Sequence, residues 1–141
     1  MGTISFNNNG LNIDIKNKVF LKIFLASIFK EEGYEFELVS YIFSTDEYLL
    51  KLNKKYLNHD TLTDIITFNL SDPSLPIVSD IYISIERVKE NAQELQIEFS
   101  NELNRVMIHG ILHLCGYSDH NTELKFEMRK KEDQYLSKMI N

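Results

Sequence analysis

The sequence predicts an α+β fold: one domain in which a small mixed four-stranded sheet is packed by about five helices. The chain has 141 residues, of which 43% are hydrophobic, and this is enough for one compact core. Some short segments alternate polar and apolar residues or are rich in β-branched and aromatic residues, as strands are. Longer segments repeat apolar residues at helical spacing. We therefore treat residues 1–141 as a single domain.

Strands and helices are expected in a definite order. Strands are predicted over residues 3–6, 35–43, 64–70 and 80–85. Helices are predicted over residues 16–30, 44–56, 86–99 and 100–116, and a last helix begins at Asn121 or Thr122. Pro73 and Pro76 indicate a loop before the fourth strand, because two prolines so close interrupt regular structure.

Local signals predict where the helices begin and end. Gly33 ends the first helix, because glycine adopts the left-handed conformation at low cost. Ser44 and Glu47 fit a capping box at the start of the second helix, and Ser100 is a suitable N-cap for the fourth. The residues expected to face the core are Val19, Phe20, Ile23, Phe24 and Ile28 in the first helix, Val88, Ala92, Leu95 and Phe99 in the third, and Leu124, Met128, Tyr135 and Met139 in the last.

Composition restricts the class of protein. The only cysteine is Cys115, so an intramolecular disulfide and a cysteine-rich zinc site are both excluded. No secretion signal and no apolar run of membrane-spanning length is evident, so we expect a soluble cytoplasmic protein. The net charge of -6 argues against nucleic-acid binding through a general positive field, although a local patch could contact phosphates.

Three of the four histidines lie in one stretch, residues 106–120. His109 and His113 are four positions apart among helix formers, so a helix places both rings on one face, one turn apart. Gly116 favours a turn after the helix, which can bring His120 to the same ion. The helix is apolar nearly all round except for a stripe of Glu102, His109 and His113, so we expect it to be buried.

This pattern predicts one zinc ion held by His109, His113 and His120. Imidazole suits zinc, and three protein ligands leave a position for water, as in catalytic zinc sites. The pKa of such a water is near about 7, which provides hydroxide at neutral pH. The alternative is that these are core histidines hydrogen-bonded to the backbone. A zinc peptidase would need a glutamate general base where this chain has Gly110.

Residues 109–120 read His-Gly-Ile-Leu-His-Leu-Cys-Gly-Tyr-Ser-Asp-His. They resemble the His-Gly-x-Leu-His-Leu-x-Gly-Tyr-Asp-His signature of the YbeY family, bacterial rRNA maturation factors regarded as metal-dependent endoribonucleases. Residues 52–56, 63–68 and 79–84 resemble further family segments. Together with the closing helix, the resemblance extends over nearly the whole chain. It implies an α+β fold with a small mixed sheet, a zinc held by three histidines, and action on ribosomal RNA precursors.

The chain departs from the family pattern before its last histidine. Six residues separate His113 from His120, whereas the family has five, so Asp119 has the usual spacing of the third ligand. Either Ser118 is a one-residue bulge and His120 binds the metal, or Asp119 binds it through a carboxylate oxygen. We favour His120, because a turn absorbs one residue easily, and expect Asp119 to orient a ligand or to handle a proton.

A second departure concerns the phosphate. The family's arginine after the tyrosine falls on Leu57, which can neither bind a phosphate bidentately nor stabilise its charge. Lys54, Lys55 and His59 lie nearby and are candidate RNA contacts. The alternative is that they form the solvated face of a helix.

Three other residues could lie near the site. Cys115 is expected to be a buried core residue, although a thiolate would bind zinc strongly. Asp64 and Asp80 begin predicted strands near loops, where they could act as caps or face the site, and we favour structural roles for both.

Three functions are compatible with these patterns. The first is a zinc-dependent endoribonuclease in rRNA maturation and ribosome biogenesis, whose partners would be ribosomal RNA precursors and also ribosomal proteins or the small subunit. The second is a non-catalytic ribosome assembly factor with a structural zinc, which Leu57 and the acidic net charge favour. The third is a zinc metallopeptidase, which Gly110 disfavours.

Overall fold

The computed structural model describes residues 2–139. The strands are β1 (Thr3–Asn8), β2 (Phe36–Ser44), β3 (Ile65–Asn69) and β4 (Ile77–Ser84). The α-helices are α1 (Lys18–Glu31), α2 (Asp46–Leu52), α3 (Ile85–Leu95), α4 (Phe99–Leu114) and α5 (Thr122–Met139). A π-helical turn, Asn53–Leu57, follows α2 directly. These elements of the described chain confirm the predicted α+β fold.

The strands form one mixed sheet in the order β1-β2-β4-β3. β1 is parallel to β2, with Thr3 opposite Leu38, and β2 is parallel to β4, with Tyr41 opposite Ile81. β3 is antiparallel to β4 and lies at one edge. Parallel neighbours require a long connection, and α1 supplies it between β1 and β2. The predicted mixed four-stranded sheet is therefore confirmed.

The histidine-bearing helix α4 packs on the sheet as predicted. β4 alternates along its length, and Ile81 and Ile83 are fully buried. The hydroxyl of buried Tyr41 in β2 donates a hydrogen bond to the carbonyl of Met107 in α4 at 2.8 Å. Buried residues continue along α4 to Leu114, so the helix is largely enclosed.

Gly110 allows α4 to lie close against β3 and β4. A Cβ atom at this position would be 3.1 Å from the Cδ1 atoms of both Ile65 and Ile81. A larger side chain would therefore have to displace the helix or both isoleucines. Glycine at this position is explained by packing.

A carboxylate just after α1 connects three segments of the chain. Glu32 accepts hydrogen bonds from the Tyr117 hydroxyl at 2.8 Å, from Lys131 Nζ at 3.2 Å and from the Tyr135 hydroxyl. Burial raises the pKa of Glu32, but these hydrogen bonds outweigh burial, so its pKa lies below the ordinary value. The cluster joins α1 to α5 and to the connection between α4 and α5. Gly33 follows at a φ of 83°, which confirms the predicted end of α1.

Two predicted N-caps are wrong. Ser44 is the last residue of β2, because pairing with β4 continues through it. Thr45 caps α2 instead, and its side chain accepts the backbone amide of Tyr48 at 3.2 Å. Ser100 lies inside α4, which begins at Phe99 without a side-chain cap.

The predicted boundary between the third and fourth helices is also wrong. α3 ends at Leu95 because Gln96 adopts the left-handed conformation at a φ of 57°. Phe99 is consequently the first residue of α4. Leu95 is 50% exposed instead of facing the core, whereas the predicted burial of Val88 and Ala92 is confirmed.

The face that α1 buries differs from the prediction. Val19, Phe20 and Ile23 are exposed by 74%, 49% and 65%. The buried residues are Leu21, Leu25, Ile28 and Phe29, of which only Ile28 was expected. Apolar residues occur all round this helix, so periodicity could not choose between faces, and packing on β1 and α4 selects one.

The second helix is shorter than predicted, since its α-helical part ends at Leu52. The following π-helical turn contains buried Asn53, whose side-chain amide donates to the carbonyl of Thr61 at 2.9 Å. α5 begins where predicted, because Asn121 Oδ1 accepts the backbone amide of Leu124 at 2.8 Å. Within residues 2–139, none of the helices has the length and apolar character needed to cross a membrane.

Candidate functional site

One face of α4 lines a polar cleft of about 440 Å³. The predicted stripe of Glu102, His109 and His113 lies along this cleft, so the three side chains share one side of the helix as expected. The other lining residues are Arg105 and Val106 from α4, Thr63, Asp64, Ile65 and Thr67 from β3 and its approach, and Asp119, Lys125, Met128, Arg129 and Glu132 from the last part of the chain.

His109 is held by a buried carboxylate. Its Nδ1 lies 2.6 Å from Oε2 of Glu132 in α5, whose side chain is 6% exposed. A carboxylate accepts hydrogen bonds, so this contact favours the proton on Nδ1 of the neutral ring. Nε2 then presents its lone pair toward Asp119, whose Oδ2 is 3.6 Å away. Histidines that bind metals are commonly oriented by a carboxylate in this way.

Arg105, one turn before His109, binds the other oxygen of the same carboxylate. Its Nη1 lies 3.1 Å from Glu132 Oε1 and 3.0 Å from Asp133 Oδ1. Its Nε lies 3.5 Å from Glu102 Oε1, without a hydrogen bond between them. Each oxygen of Glu132 therefore meets a side chain of α4, which fixes the docking of α5 on that helix.

The pKa values of the two histidines shift in opposite directions. Burial lowers the pKa of His109, but the surrounding carboxylates, Glu132 foremost, outweigh burial and raise it above the ordinary value. His113 stands partly exposed at the mouth of the cleft. Burial of part of its ring, together with nearby His109 and His120, lowers its pKa. His113 is therefore the more readily neutral of the pair at neutral pH.

Two further carboxylates in the cleft wall resist ionisation. Burial raises the pKa of Asp64 and of Glu102. Glu102 is 5% exposed, and among the described residues its Oε1 has no hydrogen-bond partner. Asp64 lines the cleft, because β3 starts one residue later and leaves Asp64 in the wall. The structural role expected for Asp64 stays a prediction. Asp80 lies opposite Phe68 in the sheet, outside the cleft.

The structure brings Asp119, rather than His120, next to His109. Asp119 lines the cleft, whereas His120 is an exposed residue whose backbone amide donates to Ser118 Oγ at 3.3 Å. His120 is still near enough to lower the pKa of His113. Which of the two residues completes a metal site stays a prediction.

Within residues 2–139, no three histidine, cysteine, aspartate or glutamate side chains lie close enough together to hold a metal ion. The donors nevertheless suit zinc, because His109 presents Nε2 while Glu132 holds Nδ1, and His113 lines the same cleft one turn later. Both candidate third ligands, Asp119 and His120, lie in the connection over residues 115–121, where Gly116 adopts a φ of 96°. The residue types therefore suit zinc, while the described geometry does not bring three donors together.

Cys115 is buried in the hydrophobic core, as predicted. Burial raises the pKa of its thiol to about 12. The thiolate that would compete for zinc is therefore strongly disfavoured at neutral pH.

The three predicted RNA contacts do not lie together in the cleft. His59 lines a second cavity beside it, with His113 in the shared wall. Lys54 pairs with a neighbouring aspartate at 3.4 Å, and Lys55 Nζ lies 5.2 Å from the centroid of the Tyr56 ring. Both lysines are exposed, so only His59 adjoins a predicted metal ligand.

Four charged residues of the cleft were not predicted from the sequence: Arg105, Lys125, Arg129 and Glu132. The sequence does contain a sign that Glu132 is buried, because Glu132 follows Met128 by four positions and precedes Tyr135 by three, and both of these residues are buried. A charged residue on the apolar face of a helix needs a partner. That this partner is His109 and Arg105 became visible only from the packing of α5 on α4.

Gly110 lies on the side of α4 that faces the sheet, because a Cβ atom there would be close to Ile65 and Ile81. A glutamate at this position would enter the core between β3 and β4. It could not reach a substrate beside His109 as a general base. The geometry therefore weighs against the peptidase alternative.

Fold and site together define a small α+β protein in which a pair of histidines on a central helix faces a charged cleft. The family model described as Endoribonuclease YbeY matches residues 3–140. The chain therefore belongs to the YbeY family, and the resemblance seen in its histidine motif is confirmed.

Relatives and a solved structure agree with this assignment. The chain is 46% identical to an Endoribonuclease YbeY of Flavobacterium psychrophilum over 94% of each chain. It is 44% identical to the protein of the same name from Cytophaga hutchinsonii, over 96% of this chain and 94% of the relative. The solution structure of TM1509 from Thermotoga maritima superimposes with a TM-score of 0.64 at 31% identity, over 94% of this chain and 86% of that one.

Proposed function

We propose that this chain is a zinc-dependent endoribonuclease that acts on ribosomal RNA precursors in ribosome maturation. Membership of the YbeY family supports the reaction. The observation that supports the site is the 2.6 Å contact of Glu132 with His109, which leaves Nε2 facing the cleft beside His113. A cytoplasmic location and contacts with ribosomal proteins or the small subunit belong to the same proposal.

The metal would be held by His109, His113 and His120, with Asp119 as the alternative third ligand. Zinc bound there would supply a Lewis acid for a phosphate oxygen and a water of lowered pKa. Glu132 would hold the His109 ring in the orientation that keeps Nε2 available. Asp119, if it is not a ligand, stands 3.6 Å from Nε2 and is exposed to solvent, where it could accept a proton from the attacking group.

Metal stoichiometry tests the site. Wild-type protein supplied with zinc should retain one ion per chain, and His113→Ala and His120→Ala should lose it. Asp119→Ala and the control Cys115→Ala should retain it. Loss of zinc in Asp119→Ala with retention in His120→Ala would make Asp119 the third ligand. A wild type that retains no zinc would refute the zinc site.

Cleavage of structured ribosomal RNA fragments tests the activity. Zinc-loaded wild type should cut them, a chelator should stop the reaction, and added zinc should restore it. His113→Ala should be inactive while its circular dichroism spectrum is unchanged. Cleavage that persists in the chelated protein would exclude a zinc-dependent reaction.

The residue at position 57 supports a second function, that of a non-catalytic assembly factor with a structural zinc. Leu57 is 42% exposed and offers no charge to a phosphate. The two functions differ in what a folded but zinc-free variant can do in cells. If a folded His113→Ala protein supports 16S rRNA maturation in a strain without its own family member, the assembly factor is favoured over the enzyme.

A further inference from the structure

The cleft has three cations in its lining: Arg105, Lys125 and Arg129. An RNA substrate brings a phosphodiester charge to this cleft, and Leu57 cannot neutralise it. Lys54 and Lys55 lie outside the lining, on exposed surface. The phosphate-binding cation is therefore expected among the three cations that line the cleft.

Arg105 is already occupied by the protein. Its side chain is 18% exposed, and its guanidinium contacts Glu132 at 3.1 Å and Asp133 at 3.0 Å. Its Nε also lies 3.5 Å from Glu102. To bind RNA, Arg105 would have to give up its contacts with the buried carboxylates of Glu132 and Glu102, which is costly.

Lys125 and Arg129 are placed differently. They are four residues apart in α5, so they project from one side of the helix, one turn apart. Both are exposed, and in the part of the chain that the structure describes neither has a carboxylate within 4.0 Å. Met128 between them is 2% exposed and anchors this turn of α5 to the core, so both cations stand at the rim of the cleft.

We propose that Lys125 and Arg129 form the phosphate-binding pair that positions the RNA backbone over the histidines. The pair supplies positive charge for the RNA backbone, which Leu57 cannot supply. An Arg guanidinium can bind two oxygens of one phosphate, and Lys125, one turn away, can meet a neighbouring phosphate as a point charge. This inference rests on the proposed endoribonuclease function and names the part of the substrate that α5 would recognise.

A purely structural role for Arg129 makes a different prediction. Its charge acts on buried Glu102, whose pKa it lowers against the larger effect of burial. If Arg129 only balances Glu102, its removal should lower the melting temperature and leave RNA affinity unchanged. Lys125 is not among the main causes of the Glu102 pKa shift, so it separates the two roles.

The experiment compares Lys125→Gln, Arg129→Gln and Lys130→Gln with wild type, all zinc-loaded and of full length. Lys130 is exposed on the same helix and carries the same charge, but it does not line the cleft. The probe is a fluorescein-labelled single-stranded oligouridylate, and its binding is followed by anisotropy over a series of salt concentrations before any cleavage.

We expect Lys125→Gln and Arg129→Gln each to weaken binding by about three- to tenfold, and each lost contact to reduce the slope of log affinity against log salt by about 0.7. Arg129→Lys should recover part of the affinity, and Lys130→Gln should bind as wild type does. Equal weakening by Lys130→Gln, or wild-type affinity in the Lys125→Gln/Arg129→Gln double variant while wild type binds and cuts RNA, would overturn the phosphate pair alone. A wild type that neither binds nor cuts RNA would overturn the endoribonuclease proposal itself.

Discussion

Glu132 determines which nitrogen of His109 faces the cleft. Without this carboxylate the ring could rotate or move its proton to Nε2, and the lone pair would no longer point toward Asp119 in the connection after α4. The contact at 2.6 Å joins a buried acid to a ring whose pKa it raises. The residue is remote in sequence from the histidine motif, yet it shapes how that motif can act.

Glu132→Gln should weaken zinc affinity by about 10- to 100-fold, since the neutral amide orients the ring less firmly and makes it a poorer donor. Loss of the charge opposite Arg105 should also lower the free energy of unfolding, by about 1–3 kcal/mol. Competition with a chromogenic chelator gives the zinc affinity, and urea denaturation gives the stability. Glu127→Gln, an exposed change in the same helix, is the control and should alter neither quantity. Wild-type zinc affinity in Glu132→Gln would show that the contact serves only the docking of α5.

Leu57→Arg restores the cation that the family has at this position. Leu57 is exposed and lines the cavity that contains His59 and His113, so an arginine there can reach the entrance of the cleft. We expect kcat/KM for RNA cleavage to rise about tenfold or more, with zinc stoichiometry unchanged. Leu57→Gln, similar in length and uncharged, should show no such gain. An unchanged rate in Leu57→Arg would indicate that other cations already perform this task.

At the level of residues, local spacing predicts contacts within one helix and fails for contacts between helices. The shared face of Glu102, His109 and His113 followed from the helical repeat alone. The contacts of Glu132 with His109 and Arg105 did not, because they depend on how α5 docks. The extra residue before His120 is ambiguous for a similar reason, since a turn can place either Asp119 or His120 at the cleft.

α4 has two faces with different contacts: the histidines line the cleft, and Gly110 packs against the sheet. Gly110→Glu, which would complete a peptidase-like motif, should lower the free energy of unfolding by about 3 kcal/mol or more, because a charged side chain would be forced between Ile65 and Ile81. It should produce no peptidase activity. Urea denaturation and a fluorogenic casein assay measure the two effects. Asn101→Glu, at an exposed position of the same helix, is the control. A stable Gly110→Glu protein that cleaves casein would contradict this assignment of the two faces.

At the level of elements, the type of each segment was predictable and several of its limits were not. Ser44 looked like an N-cap but lies in β2, because pairing across the sheet overrides the local capping signal. α3 ends because Gln96 adopts the left-handed conformation, which is rare for a glutamine and therefore could not be predicted from its identity. The buried face of α1 was likewise chosen by its neighbours, since that helix is apolar on several sides.

At the level of the whole molecule, Glu32 joins three segments by hydrogen bonds: α1, α5 and the connection between α4 and α5. Because its folded-state pKa is lowered, the carboxylate contributes stability above its ordinary pKa of 4.5, and this contribution is lost as the pH falls through the lowered value. Asp64 and Glu102 have raised pKa values and act in the opposite sense, since their protonation favours the folded state. Of these three carboxylates, Glu32 is therefore the one whose protonation in acid lowers the stability of the fold.

Glu32→Gln should be less stable than wild type at neutral pH and should lose less stability on acidification below about pH 4.5, so that the difference narrows in acid. Thermal unfolding followed by circular dichroism over a pH series measures this. The exposed change Glu37→Gln should reproduce the wild-type curve. Parallel curves for Glu32→Gln and wild type would mean that the charge of Glu32 does not contribute.

The overall topology was predictable only in outline. A mixed sheet of four strands followed from the segments, but the order β1-β2-β4-β3 rests on pairings between residues as far apart as Thr3 and Leu38. Local patterns do not specify such partners. The packing of the helices on the sheet and on one another does so.

The way in which α4 is attached also affects the rate at which a metal site can form. The helix is held by the Tyr41 hydrogen bond to Met107 and by the close packing of Gly110, so the backbone that carries His109 and His113 is anchored to the sheet. Asp119 and His120 lie in a short connection held at one end by Tyr117 and at the other by the start of α5. An arriving ion would meet the two anchored histidines first, and a ligand from the connection would complete the site afterwards. The speed of zinc uptake would then report the motion of those few residues, while the lifetime of the bound ion would report the strength of the completed ligand set.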